Sequence, residues 1–296
     1  MHPPIPTPDR SGSTTSTAVP LYWCSYGTSP GPPLLVLHGG PGAHHEYLLP
    51  QFLTLAERNS LLLYDQRGGG RSKTDDPTPI TWRTHVEDLG KVVEEFALEP
   101  LTLVGYSWGA LLAVLYSVES RTDRSLRPPA RLVLIDPAPL TRSYRERFEA
   151  EFARRQADTP VKRLRDELAA SGLRERDPAA FRQRQFELSV AGYFAKPERA
   201  RDLTPFRVTG RVQQSVWESL GDYDLLPLLG SLDLPTLIVH GRKDPIRLES
   251  AEKAARAMNA RFLVLEASGH VPYVEQPAAL FSAITQFLED TSALAG

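Results

Sequence analysis

The feature that most restricts how this chain can fold is a serine with a glycine two positions away on each side, Gly105-Tyr-Ser-Trp-Gly109. A short run of strand composition, 101–104, precedes it, and an apolar run long enough for a buried helix, 110–116, follows it. A serine at such a strand-to-helix corner lies on a tight, strained turn, with its hydroxyl above the sheet beside the first N–H groups of the helix. The glycines are expected because the two backbones approach closely there. The motif predicts that Ser107 is a nucleophile; a glycine-rich turn with a solvated serine is the alternative.

Short apolar runs recur along the chain and predict a parallel sheet. They are continuous rather than alternating, as expected for strands buried on both faces. Helix-length segments separate them, and three of these, 81–97, 249–258 and 277–288, carry apolar residues at helical spacing. Alternation of strand and helix predicts an α/β, doubly wound fold. The predicted strands are 21–25, 33–37, 60–64, 101–104, 131–135, 235–240 and 261–265.

The alternation stops between about residues 140 and 232, where the sequence is helical in character and rich in arginine. A stretch of this length cannot be one structureless loop in a compact domain. We expect a helical cap, 141–231, inserted into an α/β core built from 18–140 and 232–296. Basic residues outnumber acidic ones in the cap, and solvated helix faces explain this excess better than attraction of acidic substrates. Residues 1–17 are rich in Pro, Ser and Thr and are expected to form a disordered tail.

Composition and charge argue against several classes of function. The net charge of −2 gives no basis for a nucleic-acid or membrane partner, and no apolar run approaches the ~20 residues of a membrane span. One cysteine, Cys24, excludes an internal disulfide and suits a reducing compartment. The N-terminus lacks the apolar region of a secretory signal, so the cytoplasm is the expected location. No His/Asp/Glu cluster has the spacing of metal ligands, and neither a metal nor a cofactor is expected.

Polar residues follow the predicted strands at their carboxyl ends, where ligands bind in parallel sheets. A serine nucleophile needs a base of near-neutral pKa, and the imidazole that supplies it needs a carboxylate partner. His270 and Asp244 follow the last two predicted strands, and the chain order Ser107, Asp244, His270 matches that of an α/β-hydrolase triad. Asp136, which also follows a strand, is the alternative acid. The polar residues at strand ends are His38, Asp65, Ser107, Asp136, Asp244 and His270.

A carbonyl under attack becomes an oxyanion and needs fixed N–H donors. The N–H of Trp108, just after the nucleophile, is one expected donor. The other is expected from the glycine-rich loop His38-Gly-Gly-Pro-Gly42, whose glycines let the backbone approach a substrate closely. Gly40 is the candidate there and Gly39 the alternative.

Together these motifs resemble the prolyl aminopeptidase family, a branch of the α/β-hydrolase superfamily. The resemblance implies a mostly parallel central sheet with helices on both faces and an inserted helical cap. It also implies acyl-enzyme hydrolysis that releases an N-terminal residue, often proline, from short peptides. The family's triad carries over to Ser107, Asp244 and His270, and its oxyanion donors carry over to Gly40 and Trp108. The motifs are 38–42, Asp65-Gln-Arg-Gly-Gly-Gly-Arg-Ser72, 105–109, Gly241 with Asp244, and Gly269-His270.

The Asp65 loop usually lies close to the site in this family, so Asp65 and Arg67 are expected to form structural hydrogen bonds. Two positions differ from a well-known subgroup in which glutamates meet the substrate's α-amino group. The position after the catalytic aspartate is Pro245, and Gln213 aligns with the second glutamate. Glu218, Glu187 or Asp222 could supply a carboxylate instead. The residues predicted to contact substrate are Glu218, Gln213, Trp217 and Tyr193.

Two other functions remain open. An esterase, lactonase or amidase for small acyl groups would use the same triad, with a pocket lined by Trp217, Tyr193 and Phe194 and without an anionic anchor; these aromatics could equally form the core of the cap. A non-catalytic binding scaffold with the same fold is the third possibility. The expected partner is a small-molecule or short-peptide substrate, with no nucleic acid and no membrane.

Overall fold

The computed structural model describes residues 4–290 and is built around one eight-stranded sheet. The strands are β1 Arg10–Ser13, β2 Tyr22–Tyr26, β3 Leu34–Leu37, β4 Leu61–Tyr64, β5 Thr102–Tyr106, β6 Arg131–Ile135, β7 Thr236–Gly241 and β8 Arg261–Leu265. Their order is β1-β2-β4-β3-β5-β6-β7-β8. The strands from β4 to β8 in this order pair in parallel, and β1 and β2 add an antiparallel edge. The predicted α/β fold with a mostly parallel sheet is confirmed.

Helices cover both faces of the sheet, because successive side chains of the central strands point to opposite faces and nearly all are apolar. On one face, Leu35 and Leu37 pack with the helices Trp82–Glu95, Trp108–Glu119 and Leu248–Ala257; on the other, Leu34 and Val36 pack with the helix Pro277–Glu289 and the 3₁₀ helix Gln51–Glu57. The α-helices are α1 Trp82–Glu95, α2 Trp108–Glu119, α3 Arg142–Ala157, α4 Thr159–Ala170, α5 Leu173–Arg176, α6 Pro178–Val190, α7 Gly210–Ser219, α8 Leu226–Leu229, α9 Leu248–Ala257, α10 Pro272–Glu275 and α11 Pro277–Glu289.

The elements from α3 to α8 lie between β6 and β7, and each of them is helical. They include two further 3₁₀ helices, Ala191–Tyr193 and Pro197–Asp202. A single antiparallel bridge between Thr141 and Asp224 joins the two ends of this insertion. We call residues 141–231 the helical segment.

The predicted disordered tail is wrong for residues 10–13. These residues form β1, which pairs with β2 in the register Arg10↔Ser25 to Ser13↔Tyr22. The chain after β1 is also fixed, because the N–H groups of Thr15 and Ser16 donate to the carboxylate of Glu95. An exposed edge strand needs few apolar side chains, so its sequence carries no hydrophobic signal.

Three positions of the predicted tail, 1–3, and the last six of the predicted core, 291–296, lie outside the described residues. Within residues 4–290, no helix has the length and apolar character that crossing a bilayer requires.

Candidate active site

Ser107 lies at the sharp turn between β5 and α2. Its backbone angles, φ 51° and ψ −116°, are rare for a residue with a side chain, and such strain concentrates at functional sites. The Ser107 N–H donates to the carbonyl of Ile135 at 2.9 Å, which fixes the turn against the neighbouring strand. A Cβ atom on Gly109 would lie 2.0 Å from the carbonyl oxygen of Leu37, so the close approach of α2 to β3 requires glycine there.

The structure brings the three predicted triad residues into one hydrogen-bonded chain. His270 Nε2 lies 2.9 Å from Ser107 Oγ, and His270 Nδ1 lies 2.7 Å from Asp244 Oδ2. His270 lies in the loop between β8 and α10, and Asp244 lies in the loop after β7. A carboxylate can only accept, so Nδ1 carries the proton and Nε2 is free to accept from the serine hydroxyl. This geometry matches a nucleophile, a base and an orienting acid.

A second aspartate, Asp136, lies beside Asp244 at the end of β6. One oxygen of Asp136 accepts the Gly241 N–H at 2.8 Å, and the residue is fully buried. Burial and the neighbouring Asp244 carboxylate raise the pKa of Asp136 well above its usual range. Burial also acts to raise the pKa of Asp244, but the nearby imidazoles of His270 and His240 and the hydrogen bonds to its carboxylate together outweigh burial and lower that pKa. The pair therefore holds one proton on Asp136 and one negative charge on Asp244.

His240 completes this group: polar atoms of Asp136, His240 and Asp244 lie within 4.8 Å of one another. Residue spacing in the sequence did not predict this group, because its three residues come from the ends of two different strands. Two of the possible ligand atoms already form hydrogen bonds within the protein, however. Asp244 Oδ1 accepts the Ile246 N–H at 2.6 Å, and His240 Nε2 donates to the Ile246 carbonyl at 3.0 Å. We assign no metal to this group.

Two backbone N–H groups near Ser107 are candidate donors to a substrate oxyanion. Trp108 is the first residue of α2, where N–H groups have no partner within the helix. Gly40 has a positive φ of 61°. In the described part of the chain, neither N–H donates a hydrogen bond. The backbone of Gly39 is engaged with the Tyr47 hydroxyl, which favours Gly40 as the second donor.

Gln66 connects these two backbone segments, and nothing in the sequence singles it out beyond its place in the Asp-Gln-Arg motif. Its side-chain oxygen accepts from Trp108 Nε1 at 2.8 Å, and its side-chain nitrogen donates to the His38 carbonyl at 2.8 Å. The Gln66 N–H also donates to His38 Nε2 at 3.1 Å. Because that nitrogen accepts, His38 is neutral, and burial lowers its pKa to about 4. Gln66 thus fixes the loop after β3 relative to the start of α2.

Asp65 and Arg67 form structural hydrogen bonds. Asp65 accepts from His45 Nδ1 at 2.7 Å and from the Arg71 N–H at 2.8 Å. Burial alone would raise the pKa of Asp65 and lower that of His45. Their contact reverses both effects, with the pKa of Asp65 at about 2 and that of His45 at about 9. Arg67 forms a two-pronged ion pair with Asp88 on α1.

The residues predicted to contact substrate fall into two groups. The Tyr193 ring stacks on the His270 imidazole with centroids 5.2 Å apart, and the Trp217 ring meets the Trp108 ring edge-on at 5.2 Å. Tyr193 therefore lies against the triad, and Trp217 lies against the residue that follows Ser107. Gln213 and Glu218 lie on α7 and contact neither the triad nor the candidate oxyanion donors through any hydrogen bond seen in residues 4–290.

The other residues named for the pocket are placed as follows. Glu218 accepts from the Gln214 side chain at 2.7 Å, and Glu187 pairs with Arg184 on its own helix. Asp222 is exposed, and Phe194 is buried in the apolar cluster on one side of the sheet. The structure does not bring any of these three carboxylates to Ser107.

The fold and this arrangement of side chains define an α/β hydrolase. The chain belongs to the alpha/beta hydrolase family, which matches residues 34–283. The resemblance to prolyl aminopeptidases is also confirmed. The chain is 28% identical over 282 residues to the proline iminopeptidase of Levilactobacillus brevis, covering 88% of this chain and 89% of that protein. It is 28% identical over 273 residues to that of Lactobacillus delbrueckii subsp. lactis, covering 86% and 90%.

Among solved structures, a proline iminopeptidase-related protein from Thermus thermophilus superposes with a TM-score of 0.69 at 23% identity. The match covers 94% of this chain and 96% of that one. At this identity the likeness shows the fold.

Proposed function

We propose that this protein is a serine hydrolase that forms an acyl-enzyme on Ser107. The observation that carries the proposal is the hydrogen-bonded chain from Ser107 Oγ through His270 to Asp244, with 2.9 Å and 2.7 Å between successive atoms. The N–H groups of Gly40 and Trp108 support it, because they would supply an oxyanion site next to the nucleophile.

In the first half of the reaction, His270 Nε2 takes the Ser107 proton while Oγ attacks the carbonyl carbon of the substrate. The carbonyl oxygen becomes an oxyanion and accepts from the N–H groups of Gly40 and Trp108. Asp244 keeps the proton on Nδ1 and stabilises the imidazolium. Nε2–H then passes its proton to the leaving group as the bond to the carbonyl carbon breaks. Ser107 is left as an ester of the acyl part.

In the second half, the same nitrogen takes a proton from water, and the resulting hydroxide attacks the ester. The second tetrahedral intermediate uses the same two N–H groups. When it collapses, Nε2–H returns the proton to Oγ and the carboxylic acid product leaves. The cycle needs no group beyond substrate and water.

For the substrate, we propose short peptides from which an N-terminal residue, proline among them, is released. Similarity to two proline iminopeptidases over most of the chain supports this choice. We also propose that the helical segment is a cap that forms the substrate pocket, since Tyr193 and Trp217 from this segment lie against His270 and Trp108.

An esterase, lactonase or amidase acting on small acyl groups is the second candidate. It is favoured by the aromatic character of the cap side of the site, where Phe148 and Phe152 pack on Tyr193. It is also favoured by Pro245 and by the positions of Glu218 and Glu187, which leave the α-amino group of a peptide without an evident carboxylate partner among the described residues.

Side-by-side assays with proline and alanine arylamides and with short-chain aryl esters distinguish the two candidates. The peptidase proposal predicts turnover of the arylamides by the wild-type protein and loss of that turnover in Ser107→Ala. If the arylamides are untouched while the esters are hydrolysed well, the second candidate holds. If neither class of substrate reacts, the non-catalytic scaffold becomes the better description.

A further inference from the structure

We propose that Glu275 is a positioning residue of this site. Its carboxylate joins the loop that carries His270 to the helical segment and thereby holds the histidine in line with Ser107. The inference rests on the proposed function, in which His270 is the general base. Glu275 does not take part in any of the proton transfers described above.

The Glu275 carboxylate accepts three backbone N–H groups from two distant parts of the chain. Glu275 is the last residue of α10, and its Oε2 accepts the Gly269 N–H at 2.6 Å. Its Oε1 accepts the N–H groups of Ala195 at 2.9 Å and Lys196 at 3.3 Å. Hydrogen bonds to an ionised acceptor are roughly twice as strong as those between neutral groups. One side chain therefore connects residue 269, next to the base, to residues 195 and 196 of the helical segment.

The same two segments also meet directly at His270. The His270 N–H donates to the Tyr193 carbonyl at 2.7 Å, and the Tyr193 ring stacks on the imidazole at 5.2 Å. A Cβ atom on Gly269 would lie 2.2 Å from the Tyr193 carbonyl oxygen, so the two backbones are in contact. The imidazole thus takes its orientation from the helical segment as well as from Asp244. A shift of residues 193–196 would carry the histidine with it.

Other contacts hold the loop to its own surroundings but not to the helical segment. The Gln276 side chain accepts the Ala267 N–H at 2.8 Å, and the Tyr106 hydroxyl donates to the His270 carbonyl at 2.8 Å. Glu275 adds a side-chain connection to the backbone contact between this loop and the helical segment. Loss of this connection is expected to loosen the alignment of Nε2 with Ser107 Oγ while the triad residues stay in place.

The test compares Glu275→Gln with a matched surface variant, Glu266→Gln. A glutamine keeps one carbonyl oxygen, but its NH₂ group cannot accept, so it cannot satisfy both segments. Glu266 follows β8 and forms an exposed ion pair with Arg242, which contributes little. We expect Glu275→Gln to lower kcat at least about tenfold with KM within about twofold, because small misplacements of catalytic groups are costly. Glu266→Gln should match the wild type in both constants.

Two further measurements make the result decisive. Melting temperature is recorded for each variant, and the rate of inactivation by a fluorophosphonate is measured alongside kcat. An inactivation rate of Glu275→Gln that falls with kcat supports the proposal. A kcat that falls by less than about tenfold overturns it, as does an inactivation rate that stays at the wild-type value or a melting temperature that drops below the assay temperature. If the wild-type protein itself does not react with the fluorophosphonate, the proposed function fails and Glu275 is not the cause.

Discussion

Two buried aspartates lie side by side behind His270, and they carry different charge. His270 and the Ile246 N–H hold Asp244 in its ionised form, and burial beside that charge raises the pKa of Asp136. Two carboxylates this close cannot both ionise without a large cost, so the arrangement assigns the charge to the residue that contacts the base. The alternative acid, Asp136, therefore supports Asp244 instead of replacing it.

This assignment predicts opposite outcomes for two conservative substitutions. Asp244→Asn should lower kcat by on the order of 10⁴-fold, because an amide at Nδ1 favours the wrong imidazole tautomer. Asp136→Asn exchanges one neutral group for another and should lower kcat less than about tenfold, since it leaves the tautomer unchanged. Steady-state kinetics on the better substrate class measures both. An equal loss of kcat in the two variants would mean that Asp136 shares the negative charge or carries it.

The meeting of Ser107, Asp244 and His270 could be predicted from the sequence, because each of them follows a buried strand and the proposed chemistry needs one of each type. Gln66 and Glu275 could not be predicted. Their importance depends on backbone N–H and C=O groups that approach from distant parts of the chain, and such contacts leave no pattern in one sequence. The carboxylates that were expected to bind the substrate's α-amino group, Glu218 among them, show the same difficulty. Residue type alone does not fix the direction in which a helix presents a side chain.

At the scale of elements, the contact between α2 and β3 depends on the absence of a side chain at residue 109. We predict that Gly109→Ala destabilises the protein by more than about 2 kcal/mol, because a Cβ there would lie 2.0 Å from a backbone oxygen that cannot move aside easily. The matched control is Gly210→Ala at the start of α7, where a Cβ meets no atom within 4 Å. That change should be neutral or stabilise by up to about 1 kcal/mol.

Urea unfolding of both variants measures these differences in the free energy of unfolding. Equal stability of Gly109→Ala and the wild type would contradict the close approach at the turn after β5. Destabilisation by Gly210→Ala would show that the effect reflects any glycine in a helix rather than this contact.

Seven strands and the main core helices were predictable because their residues are continuously apolar or follow a helical period. For example, the predicted strand 131–135 and β6 coincide, and the predicted helix 277–288 falls short of α11 by one residue. The strand β1 was missed because Arg10–Ser13 lies at an edge and is mostly exposed. An edge strand is fixed by backbone pairing, which the side chains do not record.

For the whole molecule, two buried histidines in different protonation states make stability depend on pH. His85 is buried and neutral, and burial lowers its pKa to about 4. His45 is buried against Asp65, and despite burial its pKa is about 9. Folding therefore opposes protonation of His85 and favours protonation of His45. Each pKa unit of difference from the unfolded value of about 6.5 corresponds to about 1.4 kcal/mol.

We predict two pH dependences of opposite sign, measured as differences between the wild type and a glutamine variant. The advantage of the wild type over His45→Gln is fully present below pH about 6.5 and is lost as pH rises through about 9. The wild type loses stability relative to His85→Gln as pH falls from about 6.5 toward about 4. Urea unfolding across this range gives both differences. A difference that does not change with pH would contradict the charge state assigned to that histidine.

The sequence shows where the pattern of strands stops, and this position predicts the helices that lie between β6 and β7. The contacts between the helical segment and the rest of the protein could not be predicted from the sequence. Tyr193 reaches the imidazole, and Glu275 bonds both parts, through contacts that depend on how the helical segment lies on the sheet. If the helical segment forms the substrate pocket, as proposed, substrate choice is the property least accessible from motifs in the core.

Covalent labelling tests most directly whether Ser107 is the nucleophile of an acyl-enzyme. The wild-type protein is treated with a fluorophosphonate, and the site of addition is located by mass spectrometry of the digested protein. We expect one adduct, on the peptide that contains Ser107, and no adduct in Ser107→Ala. Labelling at another residue, or labelling that persists in Ser107→Ala, would contradict this assignment.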